Sequence, residues 1–100
     1  MSTFRLGPKG SSDLAEIFDY SVDTWGEEQA LKYIGEFAKC FELLAESPGL
    51  GRPCDLIYPG VRRFEQGKHV IFYKPNRHGI IISRILHQRR LPSRAYFMET

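Results

Sequence analysis

The sequence predicts an α+β fold: an antiparallel sheet with an N-terminal helical hairpin packed on one face, in the order β-α-α-β-β-β. Apolar residues recur at steps of three and four from Leu14 to Ala45, the signature of amphipathic helices. Lys68 to Arg90 instead holds two runs rich in Val, Ile, Phe and Tyr around Pro75-Asn76-Arg77-His78-Gly79, which reads as a β-hairpin with a short loop. Between the two regimes, Gly49 to Gly60 is rich in Gly and Pro and has no periodicity, so it reads as a loop crossing from helices to sheet.

Taken in order, Thr3 to Gly7 alternates, with Phe4 and Leu6 on one side, and suits a first strand. Ser11, Ser12 and Asp13 offer N-cap oxygens, with Glu16 three residues after Asp13 as in a capping box. Leu14, Ile17, Phe18, Ser21, Val22 and Trp25 then make one buried helical face. Gly26 interrupts that face, and a second helix begins near Glu27, where Glu27 and Glu28 suit the positive end of its dipole. Ala30, Tyr33, Ile34, Phe37, Phe41, Leu44 and Ala45 form its apolar side, and Ser47-Pro48-Gly49 stops it. Val61 to Glu65 alternates as a strand, and Gln66-Gly67 turns the chain into the hairpin. Leu91-Pro92-Ser93 closes the last strand, leaving a tail in which Tyr96 and Phe97 are the apolar pair.

A chain of 100 residues supports one modest core, so residues 1–100 are expected to form a single domain with 91–100 as a C-terminal tail. Hydrophobic content of 42% places it among globular proteins. The N-terminus lacks the basic start and apolar core of a signal peptide, and no apolar run is long enough to span a membrane. A cytoplasmic location without membrane association is expected. Cys40 and Cys54 lack a partner spacing and read as reduced thiols, Cys40 packed as a small apolar side chain.

Charge is distributed unevenly. Residues 1–50 carry four Lys or Arg against nine Asp or Glu, net −5, and residues 51–100 carry ten against three, net +7. A basic face built from the second half would attract an acidic protein surface or a phosphate backbone.

Few motifs carry chemistry. His69, His78, His87, Cys40 and Cys54 show no ligand spacing, although His69 and His87 could share a face of the hairpin, so neither metal nor cofactor is expected. The glycines match no nucleotide-binding fingerprint. What remains is Arg63, Arg84, His87, Arg89 and Arg90, with Tyr96. On RNA such a set could stabilise a pentacoordinate phosphate and move protons; on protein the arginines could pair with carboxylates. Strict alternation puts Arg84 on the face of Ile80, Ile82 and Leu86, and His87 on that of Ile81, Ser83 and Ile85. A bulge would be needed to re-aim one of the two.

The runs DLAEIFDYSVDTWG, QALKYI, LLAESPGLGRP, GVRRF, HVIFYK and ISRILHQRR resemble, in order and spacing, the ParE toxins of the RelE/ParE superfamily, over nearly the whole chain to about Arg90. The resemblance implies a type II toxin held silent by a ParD-like antitoxin and, when free, inhibiting DNA gyrase, without sequence-specific nucleic-acid binding of its own. Antitoxin or target would then meet Arg63, Arg84, His87, Arg89, Arg90 and Trp25, the antitoxin being acidic opposite Arg84, Arg89 and Arg90 and apolar against the helical hairpin. Two other readings stand beside it: a ribosome-dependent RelE-type mRNA endonuclease using Arg63, Arg84, His87 and Tyr96, and a non-toxic antitoxin-binding module. After His87 the chain departs from the common ParE pattern and reads Gln88-Arg89-Arg90-Leu91-Pro92.

Overall fold

A computed structural model describes residues 3–98. Strand β1 (Thr3–Leu6) leads into helices α1 (Pro8–Trp25) and α2 (Glu27–Glu46), followed by strands β2 (Arg52–Pro53), β3 (Arg62–Gln66), β4 (His69–Asn76) and β5 (Gly79–His87). One sheet contains them all in the order β1-β5-β4-β3-β2. The predicted α+β class holds, with two refinements. β1 runs parallel to β5, so the sheet is mostly rather than wholly antiparallel. β2, inside the segment read as loop, pairs with β3 and is too short at two residues to show alternation.

The start of α1 corrects the expected cap. Helical geometry begins at Pro8, whose fixed φ suits a first helical position, with Gly7 as the N-cap. Asp13 lies inside the helix and is buried. The early start lets α1 press close to β5: a Cβ on Gly10 would sit 2.5 Å from the Ile82 carbonyl oxygen, so only glycine fits there. At the other end, Gly26 takes φ +93°, and this positive φ, reached readily only by glycine, turns α1 into α2.

Both faces of the sheet are covered, which explains why β4 and β5 are almost continuously buried. Toward the helices, Ile71, Tyr73, Ile80, Ile82 and Ile85 pack with Ile17, Phe37, Phe41 and Leu44. On the far face Val70, Phe72 and Leu86 pack with Cys54, Val61 and Phe97. Phe97 comes from a 3-10 turn, Arg94–Phe97, so the tail docks and closes that side.

A bulge at Ser83 sets the phase of β5. Ile82 pairs with Tyr73 and Arg84 with Phe72, leaving Ser83 as the extra residue. Ile80, Ile82 and Ile85 therefore share the helix side, while Arg84 and Leu86 align with the far-face residues Phe72 and Val70. Strict alternation had grouped Arg84 with Ile80 and Ile82, and the extra residue breaks that grouping. Among the described residues no helix is long and apolar enough to cross a membrane.

Candidate functional site

A groove of about 820 Å³ runs between the helical hairpin and the ends of β4 and β5. Ile17, Tyr20 and Trp25 from α1 form an apolar wall, and Gln29 and Tyr33 from α2 extend it. Opposite stand Lys68, His69, His87, Arg89 and Arg90. Tyr20 is 65% exposed and Trp25 52%, with the rings edge to face at 6.2 Å. Trp25 was expected on the buried face of α1; it lies at the C-terminal end of the helix, where the groove opens, and so stays largely in solvent. Two large aromatics left open beside a row of cations suit an amphipathic, acidic partner segment better than a small molecule.

The floor of the groove is fixed by a pair of histidines directly opposite on β4 and β5. The rings of His69 and His87 lie 5.4 Å apart, edge to face. His69 Nδ1 is hydrogen-bonded to the Tyr33 hydroxyl at 2.7 Å, and Nδ1 of His87 accepts the Arg89 N–H at 3.1 Å. Burial, with a smaller contribution from His87, lowers the His69 pKa from 6.5 to about 4. Burial likewise pushes the Tyr33 phenol up. Tyr33 and His69 are thus neutral side chains on the floor, and the fixed positive charge comes from Lys68, Arg89 and Arg90.

The shift of His69 has a consequence for stability. The unfolded chain takes up this proton below about pH 6.5 and the folded protein only near pH 4, so the unfolded state is favoured as pH falls through that window. Urea midpoints should fall between about pH 7 and pH 5, and His69→Gln should flatten the slope. An unchanged slope in the variant would assign the effect to other groups.

Arg84 is committed elsewhere. Its Nε and Nη2 donate to the two carboxylate oxygens of Asp13, each at 2.8 Å, and the Ile85 N–H donates to the same carboxylate at 2.9 Å. β1 ends opposite Ile82, so beyond that point Asp13 takes the place of a neighbouring strand on the edge of β5. The guanidinium also lies 5.2 Å from the Tyr96 ring. The Asp13 hydrogen bonds, foremost, raise the pKa of Arg84.

The predicted residues therefore divide between two places. Trp25, His87, Arg89 and Arg90 share the groove. Arg63 and Arg84 flank Phe72 in register across the sheet, where Phe97 covers the ring at 5.3 Å. Arg63 lies over that ring at 5.6 Å, and Tyr96 beside Arg84. Sequence reasoning missed Tyr20, Gln29, Tyr33 and Lys68 in the groove and Asp13 beneath Arg84. Among the described residues no three His, Cys, Asp or Glu side chains are grouped to hold a metal ion.

A family profile described as "ParE toxin of type II toxin-antitoxin system, parDE" matches residues 4–92. Toxin ParE1 of Mycobacterium tuberculosis is 39% identical over 89 residues, spanning 88% of this chain and 91% of the relative. Toxin ParE1 of Caulobacter vibrioides is 41% identical over 88 residues, with the same coverage. A solved structure of the chromosomal ParDE system from P. aeruginosa superimposes with a TM-score of 0.72 at 28% identity, over 87% of this chain and 96% of that one.

Proposed function

This chain belongs to the ParE toxin family of type II toxin-antitoxin systems, and on that premise we propose that it inhibits DNA gyrase until a ParD-like antitoxin fills the groove between the helical hairpin and β4-β5. The observation that carries the reading is the groove itself: Tyr20 and Trp25 stand open on one side and Lys68, Arg89 and Arg90 on the other. An antitoxin segment with apolar side chains on one face and carboxylates on the other would cover both walls. Apolar burial would hold it, and the charges would steer it into register.

The ribonuclease reading lacks an assembled site. Acid-base cleavage needs its proton-transfer groups within hydrogen-bond reach of one phosphate. Here His87 faces the groove, while Arg63 and Arg84 lie in register with Phe72 on the opposite side of the sheet, the ring covered by Phe97 and Arg84 already paired with Asp13.

Purified protein should inhibit supercoiling by gyrase, leave RNA intact, and lose inhibition when the antitoxin is added. Arg89→Glu with Arg90→Glu should weaken the antitoxin complex by about tenfold or more at low salt, chiefly through association rate. Absence of any effect on supercoiling would refute the target, and unaltered antitoxin kinetics in the double variant would refute the groove. Growth arrest on expression without antitoxin would exclude a non-toxic binding module.

A further inference from the structure

The groove leaves the opposite face of the molecule unexplained. Phe4 and Leu6 pack toward the helices, so Arg5 points the other way, and it is exposed. Arg63 lies against Phe72 on the same side, and its Nε is buried without a hydrogen-bond partner. Lys74 and Arg94 both lie against the Tyr58 ring, at 5.2 and 5.3 Å. The carboxylates nearby are few: Glu65 pairs with Arg52 and more distantly, at 3.9 Å, with Arg63, and Asp55 accepts the Gly60 N–H, so cations outnumber anions on this side. The helical layer on the other side exposes Glu27, Glu28, Glu36, Glu42 and Glu46. The charge asymmetry of the sequence is thus a polarity through the thickness of the fold.

We propose that the tail-covered face of the sheet binds the phosphate backbone of duplex DNA without regard to sequence. Four cations, Arg5, Arg63, Lys74 and Arg94, spread over a broad face match a repeating line of phosphates better than a single carboxylate. The molecule measures 37 × 32 × 21 Å, and its five-stranded face is too wide to enter a major groove about 12 Å across, so base edges stay out of reach and phosphates remain. Single strands are held largely by stacking bases on open aromatic rings. Here Phe72 is under Phe97, and the Tyr58 and Tyr96 rings each have two cations against them. A duplex asks only for the charges.

Fluorescence anisotropy with short labelled duplexes of two unrelated sequences tests this without gyrase or antitoxin, so its outcome is separate from that of the proposed target. Both duplexes should bind equally, and affinity should fall roughly 40- to 150-fold between about 50 and 200 mM salt, as for three or four neutralised phosphates. Reversing Arg5, Lys74 and Arg94 to Glu should weaken binding at least about tenfold and flatten the salt slope by about 2 to 3. Arg5→Glu with Arg94→Glu, both exposed, should show about two-thirds of that change in slope, and circular dichroism reports whether each variant is folded. Lys32→Glu with Lys39→Glu on α2 should bind as the parent does. Absence of binding at low salt, equal loss from the α2 variant, preference between the duplexes, or tighter binding of single-stranded RNA of equal length would each overturn the proposal.

Discussion

Asp13→Ala should cost about 3–5 kcal/mol of folding stability, a larger penalty than most surface changes on this chain would produce. The side chains of Asp13 and Arg84 are only 10% and 13% exposed, so removing the carboxylate leaves a guanidinium out of water and unpaired. It also orphans the Ile85 N–H at a point where β5 has lost its strand neighbour. The cost should be largely a property of the pair. Asp13→Ala combined with Arg84→Met removes the stranded charge and should recover all but about 1–3 kcal/mol, the share of the unpaired N–H. Urea unfolding of the parent and the two variants measures both quantities. A loss of less than about 1 kcal/mol for Asp13→Ala, or no recovery in the double variant, would contradict this account of the pair.

The same pair shows where sequence reasoning succeeds and where it stops. Periodicity located both helices and the central hairpin because apolar spacing is imposed locally, by the pitch of a helix or the pleat of a strand. Asp13 was misread because its neighbours, Ser11, Ser12 and Glu16, are good capping residues. Helical geometry instead began at Pro8, and what Asp13 binds lies 71 residues away. Arg84 was assigned to the wrong face for a related reason. One extra residue at Ser83 reverses the phase of a strand, and nothing in the run Ile80 to Leu86 marks where it sits.

The candidate site was legible in the same uneven way. Arg89, Arg90, His87 and Trp25 could be named because charge and aromatic content are visible in one dimension, and the structure brings them to one groove. Lys68 and Tyr33 could not, since they enter the groove only through the pairing of β4 with β5 and the packing of α2. Arg63 and Tyr96 carried the same signal as Arg89 and lie elsewhere. Composition reports that a basic surface exists, whereas the sheet decides which arginines share it.

Phe97→Ala should lower stability by about 3 kcal/mol, the low end of what a buried Phe normally costs, because a chain end can release rather than leave a rigid cavity. Phe97 is 2% exposed and sits over Phe72 at 5.3 Å, in one cluster with Cys54, Val61, Val70 and Leu86. Losing that anchor should raise the undocked population of the tail by roughly 100-fold, since each 1.4 kcal/mol is about tenfold. Cys54 reports the event. It is buried, its thiol donates to the Val61 carbonyl at 3.1 Å, and burial holds its pKa up, so it should react slowly in the parent and much faster in the variant. Cys40, half-buried on α2 with its thiol bonded to Gln66, should label at an unchanged rate and serves as the internal reference. Antitoxin binding should also persist, because the groove is walled by α1, α2 and the ends of β4 and β5 rather than by the tail. Equal labelling of Cys54 in both proteins would mean that the tail contributes little to closing the far face. Loss of antitoxin binding together with faster Cys54 labelling would instead show that the two faces of the sheet are coupled through β5.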